Sequence, residues 1–138
     1  MIEAGLKGKK STIVTDELTA DRIGSGLVKV YATPMMVALM EETCNESVSP
    51  YLNDGECTVG TRIEINHTAA TPVGMRVTCE SELQSVDGRQ LTFIVKAYDN
   101  AGEIGNGVHE RFIVKRERFE EKAESRALSQ KEETVCKV

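Results

Sequence analysis

The sequence predicts an α+β domain in which one long helix packs against an antiparallel sheet of about five strands. Two observations carry that expectation. Residues 33–48 place apolar side chains at helical spacing, and beyond Gly55 the apolar period changes to two and is interrupted only by turn signals. At 138 residues the chain suits one domain, taken as residues 1–128, large enough to bury a core and small enough to gain from a partner subunit.

The helix is the clearest element. Thr33 is expected to cap its first turn, with Pro34 in the first helical position, where a missing N–H costs nothing. Met36, Val37, Leu39, Met40, Thr43, Cys44 and Val48 then form one apolar stripe that must face a core. Ser49-Pro50 and Asn53-Asp54-Gly55 end the helix and turn the chain. In the strand region, Met75, Val77, Cys79, Ser81 and Leu83 alternate with Arg76, Thr78, Glu80, Glu82 and Gln84, giving one wet face and one largely apolar face. Asp87-Gly88 signals a hairpin, because both turn positions tolerate positive φ, leading into a strand over Leu91–Tyr98. Asp99-Asn100-Ala101-Gly102 turns the chain again, and residues 103–115 supply the last strand of a meander. Ahead of the helix, a short extended piece is expected around Ser11–Val14. After the sheet, Arg116–Leu128 is charged and helix-compatible, and residues 129–138 form a tail expected to fray.

Composition removes several classes of function. A formal net charge of -5 gives no electrostatic reason to bind nucleic acid or an anionic membrane surface. The short run Lys7-Gly8-Lys9-Lys10 is read as a solvated N-terminal segment. No apolar stretch approaches the roughly 20 residues of a membrane span, and the N-terminus lacks a secretory pattern, so a cytoplasmic protein is expected. Cys44, Cys57, Cys79 and Cys136 are scattered without a C-x-x-C pair, which predicts free thiols, no metal site and no cysteine nucleophile.

Two polar residues stand out. At about 100° per residue Glu41 falls at the margin of the apolar stripe, close in angle to Val37 and Val48, whereas Glu42 points away. A carboxylate there is either a rim ion pair or a group for acid–base or nucleophilic chemistry. His67, one of two histidines, stands where a strand meets the turn Ala70-Thr71-Pro72-Val73-Gly74, and is either satisfied by backbone or chemically active. Spacing alone leaves both pairs of alternatives open.

Four separated motifs, in order and at matching spacing, resemble one family. Thr33 and Glu41 in ATPMMVALMEETC, Gly60 in TVGTR, His67 in HTAATPVG and Arg111 in GVHERFIV are similar to the fluoroacetyl-CoA thioesterase-like family, over about residues 30–119. The resemblance implies the hotdog fold, a sheet wrapped around a central helix. It also implies a homodimer with acyl-CoA sites at the subunit interface, thioester hydrolysis, and no cofactor beyond the coenzyme A of the substrate. Thr33, Glu41 and His67 would be catalytic, with Gly60 and Arg111 binding substrate. Glu41 would attack the acyl carbon or activate water, and His67 and Thr33 would orient or protonate. A backbone N–H at Gly60 or near the helix start would serve the oxyanion, and Arg111, which shares a strand face with His109, would pair with coenzyme A phosphates or a site carboxylate. Thr33 and Glu41 are separated by about 12 Å along the helix axis, at 1.5 Å per residue, which favours completion of the site by a second chain. The fluoroacetate specialists have a bulky aromatic pocket mouth. Here Gly24, Ser25 and Gly26 occupy that region and nothing before Tyr31 is aromatic, so a more open pocket and a different short acyl group are expected. Two further classes fit the same scaffold: a ligand-binding hotdog dimer without catalysis, and an enoyl-CoA hydratase or dehydratase that leaves the thioester intact.

Overall fold

The computed structural model describes residues 2–137, with side chains through residue 128. In chain order it contains β1 (Lys7–Ile13), the one-turn α1 (Ala20–Ile23), α2 (Thr33–Val48), β2 (Glu56–His67), β3 (Arg76–Asp87), β4 (Gln90–Asp99), β5 (Gly102–Lys115) and α3 (Arg116–Lys137). All strand pairs are antiparallel, and the order across the sheet is β1-β3-β4-β5-β2. Only β3-β4-β5 is therefore the expected meander. β2 and β1 close its two sides because the chain crosses the sheet twice, and local turn signals do not encode those crossings.

Helix α2 lies on one face of this sheet, which is the hotdog arrangement. Its predicted stripe is its buried face except for Val37, which is partly exposed: Met36, Met40, Cys44 and Val48 are fully buried and Leu39 and Thr43 nearly so, against Val77, Leu83, Leu91, Phe93 and Ile104. Truncating such a side chain to Ala costs ~2–5 kcal/mol, so this helix is anchored far more strongly by packing than by its caps. Close seating requires a gap in β5. A Cβ on Gly105 would stand 2.7 Å from the Met36 sulfur and 2.8 Å from the Asn66 carbonyl oxygen, so a larger residue there would displace the Met36 side chain and crowd β2.

Three local expectations need correction. The extended Ala32, not Thr33, precedes the first helical turn, and no side chain caps it; Thr33 is already helical, which frees its hydroxyl. The β3–β4 hairpin turns on Gly88-Arg89, and only Gly88 takes positive φ (62°), because Asp87 still pairs with Gln90. The basic run is strand rather than solvated tail: Lys7–Lys10 belong to β1, and Lys10 bridges to Glu42 and Glu46 on α2. β1 also begins earlier than the piece expected at Ser11. Beyond Lys115 the chain is helical from Arg116 to Lys137, so the backbone of the tail expected to fray continues the helix, while its side chains from residue 129 lie outside the described residues. Among the described residues no helix is long and apolar enough to cross a membrane.

Candidate active site

Five sequence-predicted residues gather into two groups along α2. The first is at its N-terminal end. β2 ends at His67, paired with Gly105, and Thr68 N–H is tied to the Ile104 carbonyl at 2.7 Å. The segment leading into α2 is stitched to the turn after β2, Tyr31 N–H donating to the Thr71 carbonyl at 2.8 Å while the Thr71 hydroxyl donates to Asp99 Oδ2 at 2.7 Å. These ties set Thr33 Oγ1 2.7 Å from His67 Nδ1. Nε2 of the same ring is buried yet has no hydrogen-bond partner. Burial holds the His67 pKa below the usual imidazole value, which favours the neutral ring. Beside the pair opens a cavity of about 350 Å³, lined by Ser25, Gly26, Val28 and Tyr31 among others, and Leu27 on its outer loop is 97% exposed. The mouth is open, as the Gly24-Ser25-Gly26 segment predicts.

The second group is two turns further along the helix. Glu41 is half-buried, its side chain 43% exposed, while Glu42 is exposed, as the wheel predicts. Glu41 Oε2 sits over Gly60, where a Cβ would stand only 2.7 Å away, and lies 3.7 Å from Arg111 Nη1. Gly60 pairs with Arg111, and the β2–β5 register slips between Gly60 and Arg62. Such bulges re-aim side chains, and here the extra residue is Thr61, next to Gly60.

Arg111 is buried and fully engaged. Its Nε donates to Thr58 Oγ1 at 2.8 Å, Nη2 to the Thr58 carbonyl at 3.0 Å, and Nη1 to His109 Nε2 at 3.1 Å. The Thr58 hydroxyl in turn donates to Asn45 Oδ1 at 2.8 Å on α2. Because a guanidinium only donates and a carbonyl only accepts, the tautomer of His109 follows. Nε2 carries the lone pair facing Arg111, and Nδ1–H donates to the Arg62 carbonyl at 2.8 Å. Burial first, and the Arg111 charge second among the lowering causes, keep His109 below the usual imidazole pKa. The carboxylate alternative for Arg111 is thus the one its geometry supports; buried among these partners, it is not presented to coenzyme A phosphates. His109 was legible only as a neighbour of Arg111 on one strand face. Thr58 and Asn45 come from two other elements and carry no local signal at all.

The cysteines stay out of this chemistry. Burial pushes the Cys44 thiol up to about 12 and that of Cys79 up to about 11, leaving both protonated and inert at neutral pH. Cys136 lies outside the residues whose side chains are described. Among the described residues no group of three or more His, Cys, Asp or Glu side chains is placed to hold a metal ion.

A family profile described as fluoroacetyl-CoA-specific thioesterase matches residues 14–117, a span that contains both groups. The chain belongs to this family. It is 49% identical over 94 residues, 68% of either chain, to the fluoroacetyl-CoA thioesterase of Streptantibioticus cattleyicolor. Among solved structures it resembles a single-residue variant of the fluoroacetyl-CoA-specific thioesterase FlK in complex with fluoroacetate and CoA, at TM-score 0.82 and 39% identity, covering 86% of this chain and 99% of that one. A Thermus thermophilus thioesterase superfamily member superimposes at TM-score 0.84 with 32% identity, over 97% and 98% of the two chains. Membership in the fluoroacetyl-CoA-specific thioesterase family makes this chain a thioester hydrolase of the hotdog fold.

Proposed function

We propose that this protein hydrolyses the thioester of a small acyl-CoA to the free acid and coenzyme A, with Glu41 supplying or activating the attacking oxygen. The observation that carries the reading is the setting of Glu41: a half-exposed carboxylate seated in the space that Gly60 leaves open, beside a buried guanidinium fixed by three other bonds. Hydrolysis needs an oxygen nucleophile at the carbonyl and a proton for the departing sulfur. Glu41 meets the first need by attacking the acyl carbon, which expels the coenzyme A sulfur and leaves an anhydride that water then hydrolyses to the free acid, or by taking the proton of an attacking water. His67, bonded to the Thr33 hydroxyl, meets the second, and its unpartnered Nε2 leaves one ring nitrogen for that task. Gly60 and Arg111 hold Glu41 and the thioester rather than the nucleotide end of the substrate.

The two groups belong to different ends of β2, and β2 is an outer strand of the sheet whose far edge carries no partner in the described chain. Pairing that edge with β2 of a second copy, antiparallel and centred near residues 63–64, sets His67 of one chain beside Gly60 of the other. This supports a homodimer with a shared site. The wide mouth on the Gly24-Ser25-Gly26 loop favours an acyl group other than fluoroacetyl, and the working compartment is the cytoplasm.

Thiol release from a panel of short, branched, aromatic and halogenated acyl-CoAs tests the reading. Wild type is expected to release thiol and Glu41→Gln to lose ~10²–10⁴-fold in kcat with an unchanged melting temperature. Near-normal turnover by the variant removes Glu41 from the chemistry. Binding without thiol release points to a ligand-binding dimer, and a change in enoyl absorbance with the thioester intact points to a hydratase.

A further inference from the structure

The arginine beside Glu41 is held by neutral groups rather than by the carboxylate it faces. A buried guanidinium next to a carboxylate ordinarily closes on it with two parallel hydrogen bonds. Arg111 is buried and does not. Thr58 takes one edge of its fork, accepting from Nε–H through the hydroxyl at 2.8 Å and from Nη2 through the backbone carbonyl at 3.0 Å. His109 Nε2 accepts from Nη1 at 3.1 Å. Only Nη1 is then turned to Glu41, and their 3.7 Å separation is too long for a hydrogen bond.

Hydrogen accounting extends the clamp to α2. Because Nε–H only donates, the Thr58 hydroxyl accepts from it and must send its own proton elsewhere; at 6% exposure it needs an acceptor inside the protein. Asn45 Oδ1 is that acceptor, at 2.8 Å. Asn45 stands one helical turn after Glu41 on the same side of α2, so one helix carries both the carboxylate and the amide that sets its counter-ion. We propose that Asn45 and Thr58 are positioning residues that keep Arg111 beside Glu41 without letting it close into a bidentate pair. The inference rests on the hydrolase reading above and deepens it. A guanidinium free to turn would engage both carboxylate oxygens, and oxygens so engaged are poorer at attacking an acyl carbon or taking a proton from water. Clamped on its other edge, Arg111 supplies the field of a nearby cation and leaves the oxygens to the reaction. Neither Asn45 nor Thr58 is assigned a contact with the reacting atoms; both act through Arg111.

Three variants test this with the best acyl-CoA. Asn45→Leu removes the acceptor at a half-buried helix position that leucine suits, Thr58→Val removes the hydroxyl while keeping its shape, and Thr58→Ser keeps the hydroxyl. The expected fall in kcat is ~5-fold or more for Asn45→Leu and ~10-fold or more for Thr58→Val, with KM within about twofold, while Thr58→Ser stays within about threefold of wild type. Should Thr58→Val not fold, Asn45→Leu carries the test. NMR supplies a readout that general loosening does not reproduce. The Arg111 Nε–H signal, identified by its absence in Arg111→Lys, is expected to exchange with water ~5-fold faster or more in the impaired variants, while the amides of β4 keep their wild-type rates. A normal kcat in Asn45→Leu overturns the proposal. So does a loss of kcat with unchanged Nε–H exchange, or a serine variant as impaired as the valine one. If wild type releases thiol from no acyl-CoA, the hydrolase reading fails by itself. The clamp is then judged by exchange alone, and equal Nε–H rates in wild type and Asn45→Leu overturn it.

Discussion

The two halves of the site are built on opposite plans. At the first turn of α2, Thr33 and His67 share one hydrogen bond at the rim of an open cavity whose outer loop carries the fully exposed Leu27. Two turns on, Glu41 faces an arginine that is buried and bonded to Thr58 and His109, and through Thr58 to Asn45. The second group draws on α2, β2 and β5 together, so its charges keep their orientation without reorganising. The first is bounded by a glycine-containing loop and has room to change with the acyl group. On the proposed reading the braced end holds the attacking carboxylate, while the open end holds the proton donor and the room for the acyl group.

The sharpest way to break that division is Gly60→Ala. Gly60 does not have positive φ, so the backbone accepts alanine, and the obstructed atom is the tip of a flexible Glu41 side chain. Turnover is expected to fall by ~10²-fold or more while the melting temperature moves little. A variant that keeps its kcat shows that the seat of Glu41 is not needed. Next in size is a mixing experiment. Thr33→Ala and Glu41→Gln chains, each impaired alone, are co-refolded one to one; half of the dimers are then mixed, and one of their two sites is intact. Recovery of about a quarter of wild-type activity indicates a site shared between chains, and no recovery places both groups in one chain.

The smallest effect concerns pH. His67 and His109 both have folded pKa values lowered below the unfolded value near 6.5, chiefly by burial. Between the folded and unfolded values the unfolded chain holds more protons. Their contribution to stability is therefore complete above about pH 6.5 and is lost as pH falls toward the folded values. The melting temperature is expected to drop over that interval, and His109→Gln, which keeps an acceptor for Arg111 without a titrating ring, to flatten the drop. An identical slope in the variant excludes His109 as a source.

Much of this was legible because the relevant signals are local. The stripe of α2, the orientation of Glu41 against Glu42, and the alternation of β3 depend on neighbours within a few residues. What the sequence concealed depends on distant ones. Thr33 reads as a cap because its true partner, His67, is 34 residues away. Arg111 is equally consistent with phosphates or a carboxylate until Thr58, 53 residues distant, fills its other donors. The lysines of β1 look solvated until strand order sets them against β3, and the position of β2 follows from a crossover that no turn motif announces.

The two outer strands of the sheet also set a limit on growth. One border, β1, presents Lys7 and Lys9, with Lys10 drawn to the acidic side chains of α2, and like charges discourage a further strand from adding there. The other, β2, is twelve residues long with one flank unpaired. Joining two copies through β2 consumes both bare flanks and leaves a lysine-guarded border at each extremity. Association by this route terminates at a closed pair instead of running on into a filament.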